Sequence, residues 1–192
     1  AYRQEADVLK QLKHPYLPRV YDFIETEDGV YTVMDFIPGS GLDKLLEKYG
    51  SFTQRLVMRW AIQLGEAVAY LHSQTPVIIH SDIKPSNIII TPEGNVCLID
   101  FNVSVVIDES TKSFIGVSAG YSPPEQYRDI YTYQRVTHIP NLKNTQTERL
   151  FSQICGVSNN GTISVDTRSD MHSLGCVLYH GLTGHASDTN FE

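Results

Sequence analysis

The 192-residue sequence has no apolar run approaching the ~18 residues that span a bilayer, and no charged-then-apolar export signal at its N-terminus. Basic residues are also scarce: 15 Lys and Arg stand against 22 Asp and Glu, for a net charge of −7. Nucleic-acid binding requires a clustered basic surface, which this composition does not supply. We therefore expect no nucleic-acid partner and no membrane contact from this segment.

Cysteine is equally sparse. Cys97, Cys155 and Cys176 are widely spaced and form neither a C-x-x-C pair nor a Cys/His zinc pattern. Plain thiols in a reducing compartment are expected, which favours a cytoplasmic location, with any membrane anchor elsewhere in the full protein. With 41% apolar and 19% charged residues, the composition is that of a globular chain able to bury a core.

Hydrophobic periodicity predicts helices at both ends and in the middle of the chain. Apolar residues recur at three- and four-residue steps, as on the buried face of an amphipathic helix. The segments are Val8–Leu12, Thr53–Ser73 with Thr53 as its cap, and Arg168–Leu182 ending at Gly184. A further helix, Gln146–Cys155, is predicted from a capping box within a polar, irregular segment.

Short strands are predicted between these helices. β-branched and aromatic residues concentrate in the runs Arg19–Thr26, Val30–Ile37, Val77–His80, Asn87–Thr91 and Val96–Asp100. Asp28-Gly29 between the first two runs predicts a hairpin. The run from Pro38 to Gly41 is predicted to interrupt regular structure. Strands and helices in this order indicate an α+β fold.

The most informative stretch begins at His80. Asp82, Lys84 and Asn87 lie at offsets 0, +2 and +5, and Asp100 follows at +18. Such a set suits metal-assisted phosphoryl transfer: one carboxylate accepts a hydroxyl proton, a lysine neutralises phosphate charge, and an amide and a second carboxylate hold Mg²⁺. Ordinary turn chemistry accounts for a lone Asp-x-Lys but not for the whole set.

These residues resemble the catalytic loop and metal motif of eukaryotic-like serine/threonine protein kinases, His-Arg-Asp-x-Lys-Pro-x-Asn followed by Asp-Phe-Gly. The segment Gly116–Glu125 resembles the end of their activation segment, with Ser118 where threonine is usual. Asp170 resembles the aspartate of the family's helix αF, which ties down the catalytic loop. Gln126 and Arg168-Ser169-Asp170 look like the bacterial members.

The resemblance implies a protein-kinase-like fold and an enzyme that phosphorylates protein substrates, with ATP as substrate and Mg²⁺ as cofactor. It implies that Asp82 is the catalytic base, that Lys84 contacts the γ-phosphate, and that Asn87 and Asp100 bind Mg²⁺. Nucleotide-binding roles are implied for Glu5 (helix αC), Met34 (gatekeeper), Asp35 and Ile37 (hinge), and Leu42 and Ile89 (adenine floor). Activation-segment roles are implied for Ser118 and Glu125, an anchoring role for Asp170, and a regulatory spine for Leu9, Val20, His80 and Phe101.

The same resemblance divides the chain. Residues 1–34 correspond to an N-lobe remnant, 35–41 to the hinge, and 42–192 to a truncated C-lobe with an insertion around 127–163. The family's Gly-rich loop and its strand lysine precede the position of Ala1. We therefore expect this segment alone to bind ATP·Mg weakly and to transfer phosphate negligibly. Because the sequence ends before the family's last C-lobe helices, we expect the fragment to self-associate or to come from a chain whose remainder is disordered.

Several positions depart from the family pattern. Ser81 replaces an arginine that pairs with an activation-segment phosphate, so we expect little stimulation from phosphorylation at Ser110, Thr111 or Ser113. Gly41 lies where some relatives carry an acid, and no preference for basic substrates is predicted.

Two alternatives to an active protein kinase remain. A pseudokinase or scaffold is slightly favoured by three departures from the family pattern, at Ser81, Asn102 and Val117. The presence or absence of the family's upstream lysine would discriminate between an active kinase and a pseudokinase. A small-molecule phosphotransferase shares a similar catalytic loop. The activation segment and the Asp170 helix argue against it.

Overall fold

The computed structural model describes residues 8–100, 104–105, 118–124, 126 and 166–187. Its helices are α1 (Leu42–Tyr49), α2 (Gln54–His72) and α3 (Thr167–Thr183), with residues 8–11 also helical and a 3-10 turn at Pro85–Asn87. Its strands are β1 (Val20–Thr26), β2 (Gly29–Met34), β3 (Ser40–Gly41), β4 (Ile78–Ile79), β5 (Ile88–Ile90), β6 (Val96–Leu98) and β7 (Ser104–Val105).

The predicted hairpin is confirmed. Strands β1 and β2 pair antiparallel from Val20↔Met34 to Thr26↔Gly29, and a turn joins them at Glu27-Asp28. The second strand ends at Met34, so its predicted extension to Ile37 was wrong. One further backbone hydrogen bond joins the two segments just beyond the strands, from the N–H of Asp35 to the carbonyl of Arg19 at 2.9 Å.

Two small sheets hold the middle of the chain. Strands β3, β5 and β6 form one antiparallel sheet in that order, and β4 pairs with β7 in the other. The prediction that Ser40 and Gly41 interrupt regular structure was wrong, because they form β3 and pair with Ile90 and Ile89. Helix α1, which directly follows, was not predicted. It spans only two turns, and Leu42 and Leu46 are its buried residues.

Helix α2 lies at the centre of the core, confirming the long helix predicted from its apolar stripe. Its buried face packs against α3 and against strands β4 and β6. Thr53 is the N-cap residue, but its side chain makes no capping hydrogen bond, so the predicted side-chain cap was wrong. The buried residues of α2 are Val57, Trp60, Gln63, Leu64, Ala67, Val68 and Leu71.

Helix α3 has defined caps at both ends. Asp166 forms a reciprocal capping box with Ser169, and Gly184 ends the helix in the left-handed conformation at φ 77°. The prediction for this helix is confirmed, whereas the predicted helix Gln146–Cys155 lies outside the described residues. Among the helices that the structure describes, none combines the length and apolar character needed to cross a membrane.

Candidate active site

A loop from His80 to Asn87 connects β4 to β5 and is fixed by its own apolar residues. Ile83 and Ile88 are fully buried in the core, and Pro85 begins the 3-10 turn that brings the loop back towards β5. The buried side chains anchor the backbone below, so the polar side chains between them are left facing one another.

Asp82 is the centre of the resulting polar cluster. Its Oδ2 accepts hydrogen bonds from Lys84 Nζ at 2.7 Å and Asn87 Nδ2 at 3.1 Å. Its Oδ1 accepts one from the hydroxyl of Ser118 at 2.7 Å, and Lys84 Nζ also donates to that hydroxyl at 3.1 Å. The structure therefore brings together four sequence-predicted site residues from positions as far apart as 82 and 118.

Asn87 connects this cluster to the chain segment that carries Asp100. Its side-chain Nδ2 also donates to the backbone carbonyl of Asp82 at 2.9 Å. The backbone carbonyl of Asn87 accepts the N–H of Ile99 at 2.9 Å. Asp100 is exposed and takes a positive φ of 63°. With the amide nitrogen of Asn87 directed at Asp82, its Oδ1 and the carboxylate of Asp100 supply hard oxygen donors suited to Mg²⁺.

Asp170, on α3, holds the loop from the opposite side. Its carboxylate is fully buried and accepts the backbone N–H groups of His80 at 2.9 Å and Ser81 at 2.8 Å. His72 Nε2 also lies 2.8 Å from its Oδ2. Ser81 adopts a φ of 64°, unusual for a residue with a side chain. Asp170 thus satisfies two successive peptide donors at a strained turn.

The buried ring of His80 is held in one tautomer. Its Nδ1 accepts the N–H of Asp82 at 3.3 Å, so its Nε2, 3.2 Å from the carbonyl of Ile99, must carry the proton. Burial lowers the pKa of His80. The negative charges of Asp170, Asp82 and Asp100 act in the opposite direction, Asp170 most strongly, but their effect is smaller. The neutral ring links the loop to the residue before Asp100.

The residues assigned to the hinge have a local structural role as well. The Asp35 carboxylate accepts the hydroxyl of Tyr21 at 2.7 Å and the N–H of Arg19 at 3.0 Å. The Tyr21 hydrogen bond is the main cause that lowers the pKa of Asp35. Met34 packs partly buried against the core, and Ile37 is half-buried.

The two residues assigned to the adenine floor lie close together, Ile89 in β5 and Leu42 at the start of α1, directly after β3. Ile89 pairs with Gly41, the residue before Leu42, and Leu42 itself is 2% exposed. Gly39 makes this close approach feasible: a Cβ there would lie 2.2 Å from the carbonyl oxygen of Ile90.

Two contacts beside the site were not predicted. Gln126 Nε2 donates to the carbonyl of Ser81 at 2.7 Å. The Tyr121 hydroxyl lies 2.7 Å from His180 Nδ1, and these rings border a cavity of about 330 Å³. The sequence marked Gln126 only as a family feature and gave no sign of its contact. The cavity is lined by Asp43, Leu46, Glu47, Lys84, Pro85, Ser86, Tyr121, His180 and Gly184.

Some predictions fall outside the described residues. These are the roles of Glu5, Phe101 and Glu125, the departures at Asn102 and Val117, and the phosphorylation sites 110, 111 and 113.

Comparison with known proteins identifies one family. Residues 1–137 match the family model described as protein kinase domain. The chain is 32% identical to Aurora kinase A-A of Xenopus laevis over 123 residues, covering 64% of the chain and 30% of that protein. It is 29% identical to the probable serine/threonine-protein kinase PknB of Bifidobacterium longum, covering 95% of the chain and 24% of that protein.

A probable serine/threonine-protein kinase of Clostridium perfringens is also 29% identical, with 95% of the chain and 22% of that protein covered. The chain therefore spans less than a third of the length of these relatives. The family model covers well over half of the chain. On this match, the chain belongs to the protein kinase family.

Proposed function

We propose that the chain is the catalytic region of a serine/threonine kinase, which transfers the γ-phosphate of ATP to a hydroxyl of a protein substrate. The observation that carries this proposal is the hydrogen bond from the Ser118 hydroxyl to Asp82 Oδ1 at 2.7 Å. It demonstrates that the carboxylate accepts an aliphatic hydroxyl in this environment. A substrate serine or threonine presents the same group to its catalytic base.

In this proposal Asp82 orients the substrate hydroxyl and accepts its proton, while Lys84 leaves its ion pair to contact the γ-phosphate. The pair is held at 2.7 Å but is not sealed off, because the side chains of Lys84 and Asp82 are 28% and 11% exposed. Both groups therefore remain accessible to a nucleotide and a substrate. Positioning and electrostatics supply most of the rate acceleration in such reactions.

The proposed metal ligands are Asn87 Oδ1 and the carboxylate of Asp100. Mg²⁺ bound there supplies positive charge to the phosphate oxygens. The donor set fits a hard divalent cation, because it consists of an amide oxygen and a carboxylate. Asn87 is 5% exposed and its amide nitrogen is bonded to Asp82, so its oxygen has a defined direction.

The nucleotide site is proposed on the half of the molecule that adjoins β3 and β5. Met34 is proposed as gatekeeper, the backbone of Asp35 and Ile37 as the adenine contact, and Leu42 with Ile89 as the floor. Glu5 is proposed to pair with the family's strand lysine. Lobe boundaries at 34 and 41 and an insertion at 127–163 belong to the same proposal.

A protein substrate is proposed to lie along the cavity beside Lys84. The cavity lies at the end of the loop where Lys84 and Ser86 line its wall, so a bound segment would pass close to Asp82. A pseudokinase remains the second candidate. The observation that favours it is the engagement of both Asp82 oxygens by Lys84, Asn87 and Ser118.

The test is phosphate transfer from radiolabelled ATP to a generic protein substrate such as casein by the full-length protein. Replacing Asp82→Asn should lower turnover by roughly 10²–10⁴-fold, since the base is removed while the shape is kept. Asp28→Asn, in the exposed β1–β2 turn, is the matched control and should have no effect. Full turnover in the Asp82→Asn variant would contradict the assignment, and no transfer by the wild type would favour the pseudokinase.

A further inference from the structure

Ser81 is held through both of its backbone polar groups. On one side, the N–H of Ser81 donates to Asp170 Oδ1 at 2.8 Å. On the other, the carbonyl of Ser81 accepts Gln126 Nε2 at 2.7 Å. Between these bonds Ser81 keeps a left-handed φ of 64° while 3% exposed. A strained conformation persists only where its surroundings fix it, and Gln126 makes one of these two hydrogen bonds.

Gln126 belongs to a segment that reaches the loop at two adjacent points. Residues 118–124 and 126 begin with Ser118, whose hydroxyl binds the Asp82 carboxylate, and end with Gln126 on the Ser81 carbonyl. The segment is ordered within itself, because Ser122 Oγ accepts the N–H of Ser118 at 2.8 Å and Gln126 N–H donates to the Pro123 carbonyl at 3.1 Å. The two contacts therefore fall on consecutive residues of the loop, Ser81 and Asp82.

The link runs through the backbone of Ser81 and not through its side chain. Within the described residues, the buried Ser81 hydroxyl has no hydrogen-bond partner, and neither has Oε1 of Gln126. Gln126 is 1% exposed, so its Nε2 donates to a carbonyl shielded from water. A buried carbonyl that loses its donor has no solvent to replace it, and the turn can then relax.

We propose that Gln126 is a positioning residue for Asp82. Its amide fixes the carbonyl of Ser81, and this holds the left-handed turn that aims the carboxylate. The proposal rests on the proposed function, because it assigns the reason for this fixation to catalysis. An amide–carbonyl bond is neutral, so the positioning requires no phosphate on the activation segment.

The test replaces Gln126→Met, which keeps the side-chain length and removes the donor. In the full-length protein, kcat should fall about 10- to 100-fold while KM for ATP stays unchanged, since misplacement of the base affects the reaction and not nucleotide binding. The matched control is Gln63→Met. Gln63 is 7% exposed and joins α2 to the start of β6 by two hydrogen bonds, at 3.0 Å to Val96 N–H and 2.8 Å to Asn95.

Gln63→Met should lower the melting temperature and leave kcat per folded molecule unchanged. An unchanged kcat in Gln126→Met, or a loss that matches its folded fraction, would overturn the proposal. Hydrogen exchange of the backbone amides tests the positioning role separately from the proposed kinase activity. Even in a protein without phosphotransfer, Gln126→Met should speed exchange of the Asp82 amide more than Gln63→Met does, and equal exchange rates would overturn the positioning role.

Discussion

Two carboxylates are central to the loop His80–Asn87, Asp170 from helix α3 and Asp82 from the loop itself, and their surroundings differ in kind. Asp170 has no exposed side-chain surface and accepts two backbone N–H groups. Asp82 is 11% exposed and accepts hydrogen bonds from the side chains of Lys84, Asn87 and Ser118. Side chains can rotate away and peptide groups cannot, so Asp170 fixes the loop and Asp82 is left able to exchange partners.

Asp170 is a buried acid next to the strained turn at Ser81. The two N–H groups that Asp170 accepts belong to successive peptides, 79–80 and 80–81, directly before the left-handed φ of Ser81. Bonds to a charged acceptor are stronger than neutral ones and offset part of the desolvation of the carboxylate. The strained backbone of Ser81 therefore lies where the hydrogen bonds to Asp170 stabilise the loop.

The largest effect on the free energy of unfolding is expected from removal of the buried carboxylate of Asp170. Asp170→Ala leaves the N–H groups of His80 and Ser81 without their acceptor, and each buried group left unpaired costs about 1–3 kcal/mol. We expect the free energy of unfolding, measured by urea titration, to fall by about 3 kcal/mol or more. Asp82→Ala, the same change on the other carboxylate, should lower it by only about 1 kcal/mol, because Lys84 is 28% exposed and water can replace its lost partner. Equal losses would contradict the comparison.

A smaller, pH-dependent effect is expected from His80, which lies between the two carboxylates. Burial lowers its pKa in the folded state, so between that pKa and the ordinary value near 6.5 the unfolded chain binds more protons. Stability should therefore rise with pH through this window, by at most about 1.4 kcal/mol per pH unit for one proton, and should level off above it.

The pH dependence is measured by urea titrations between pH 5 and pH 8, and His80→Gln should flatten the curve. His14→Gln is the control, because burial also lowers the pKa of His14 but the ring is only partly buried. It should remove a smaller part of the slope. A slope that His80→Gln leaves unchanged would show that other groups are responsible.

The sequence was a good guide to the long elements and to the loop. Helices α2 and α3 show several turns of apolar periodicity, and Asp28-Gly29 indicates the hairpin directly. Helix α1 was missed because two turns, with only Leu42 and Leu46 buried, give too few repeats to distinguish a helix from a loop.

The resemblance indicated one contact between distant segments, that of Asp170 with the loop, but the sequence did not indicate the contacts of Gln126 and Tyr121. Gln126 and Ser81 are 45 residues apart, and Tyr121 and His180 are 59 apart. No local spacing encodes such pairs, because they depend on how α3 and the segment at 118–126 pack against the loop. The loop residues themselves were predictable because their spacing is set within one short turn.

We propose above all that Asn87 and Asp100 hold one divalent cation next to the catalytic base Asp82. The most direct measurement uses Mn²⁺ in place of Mg²⁺, with a non-hydrolysable ATP analogue, and records paramagnetic broadening of backbone amide signals. The amides of residues 82, 87 and 100 should broaden together, those of the β1–β2 turn should not, and Asp100→Ala should abolish the effect. Broadening that spares these three amides, or that persists in Asp100→Ala, would contradict the account.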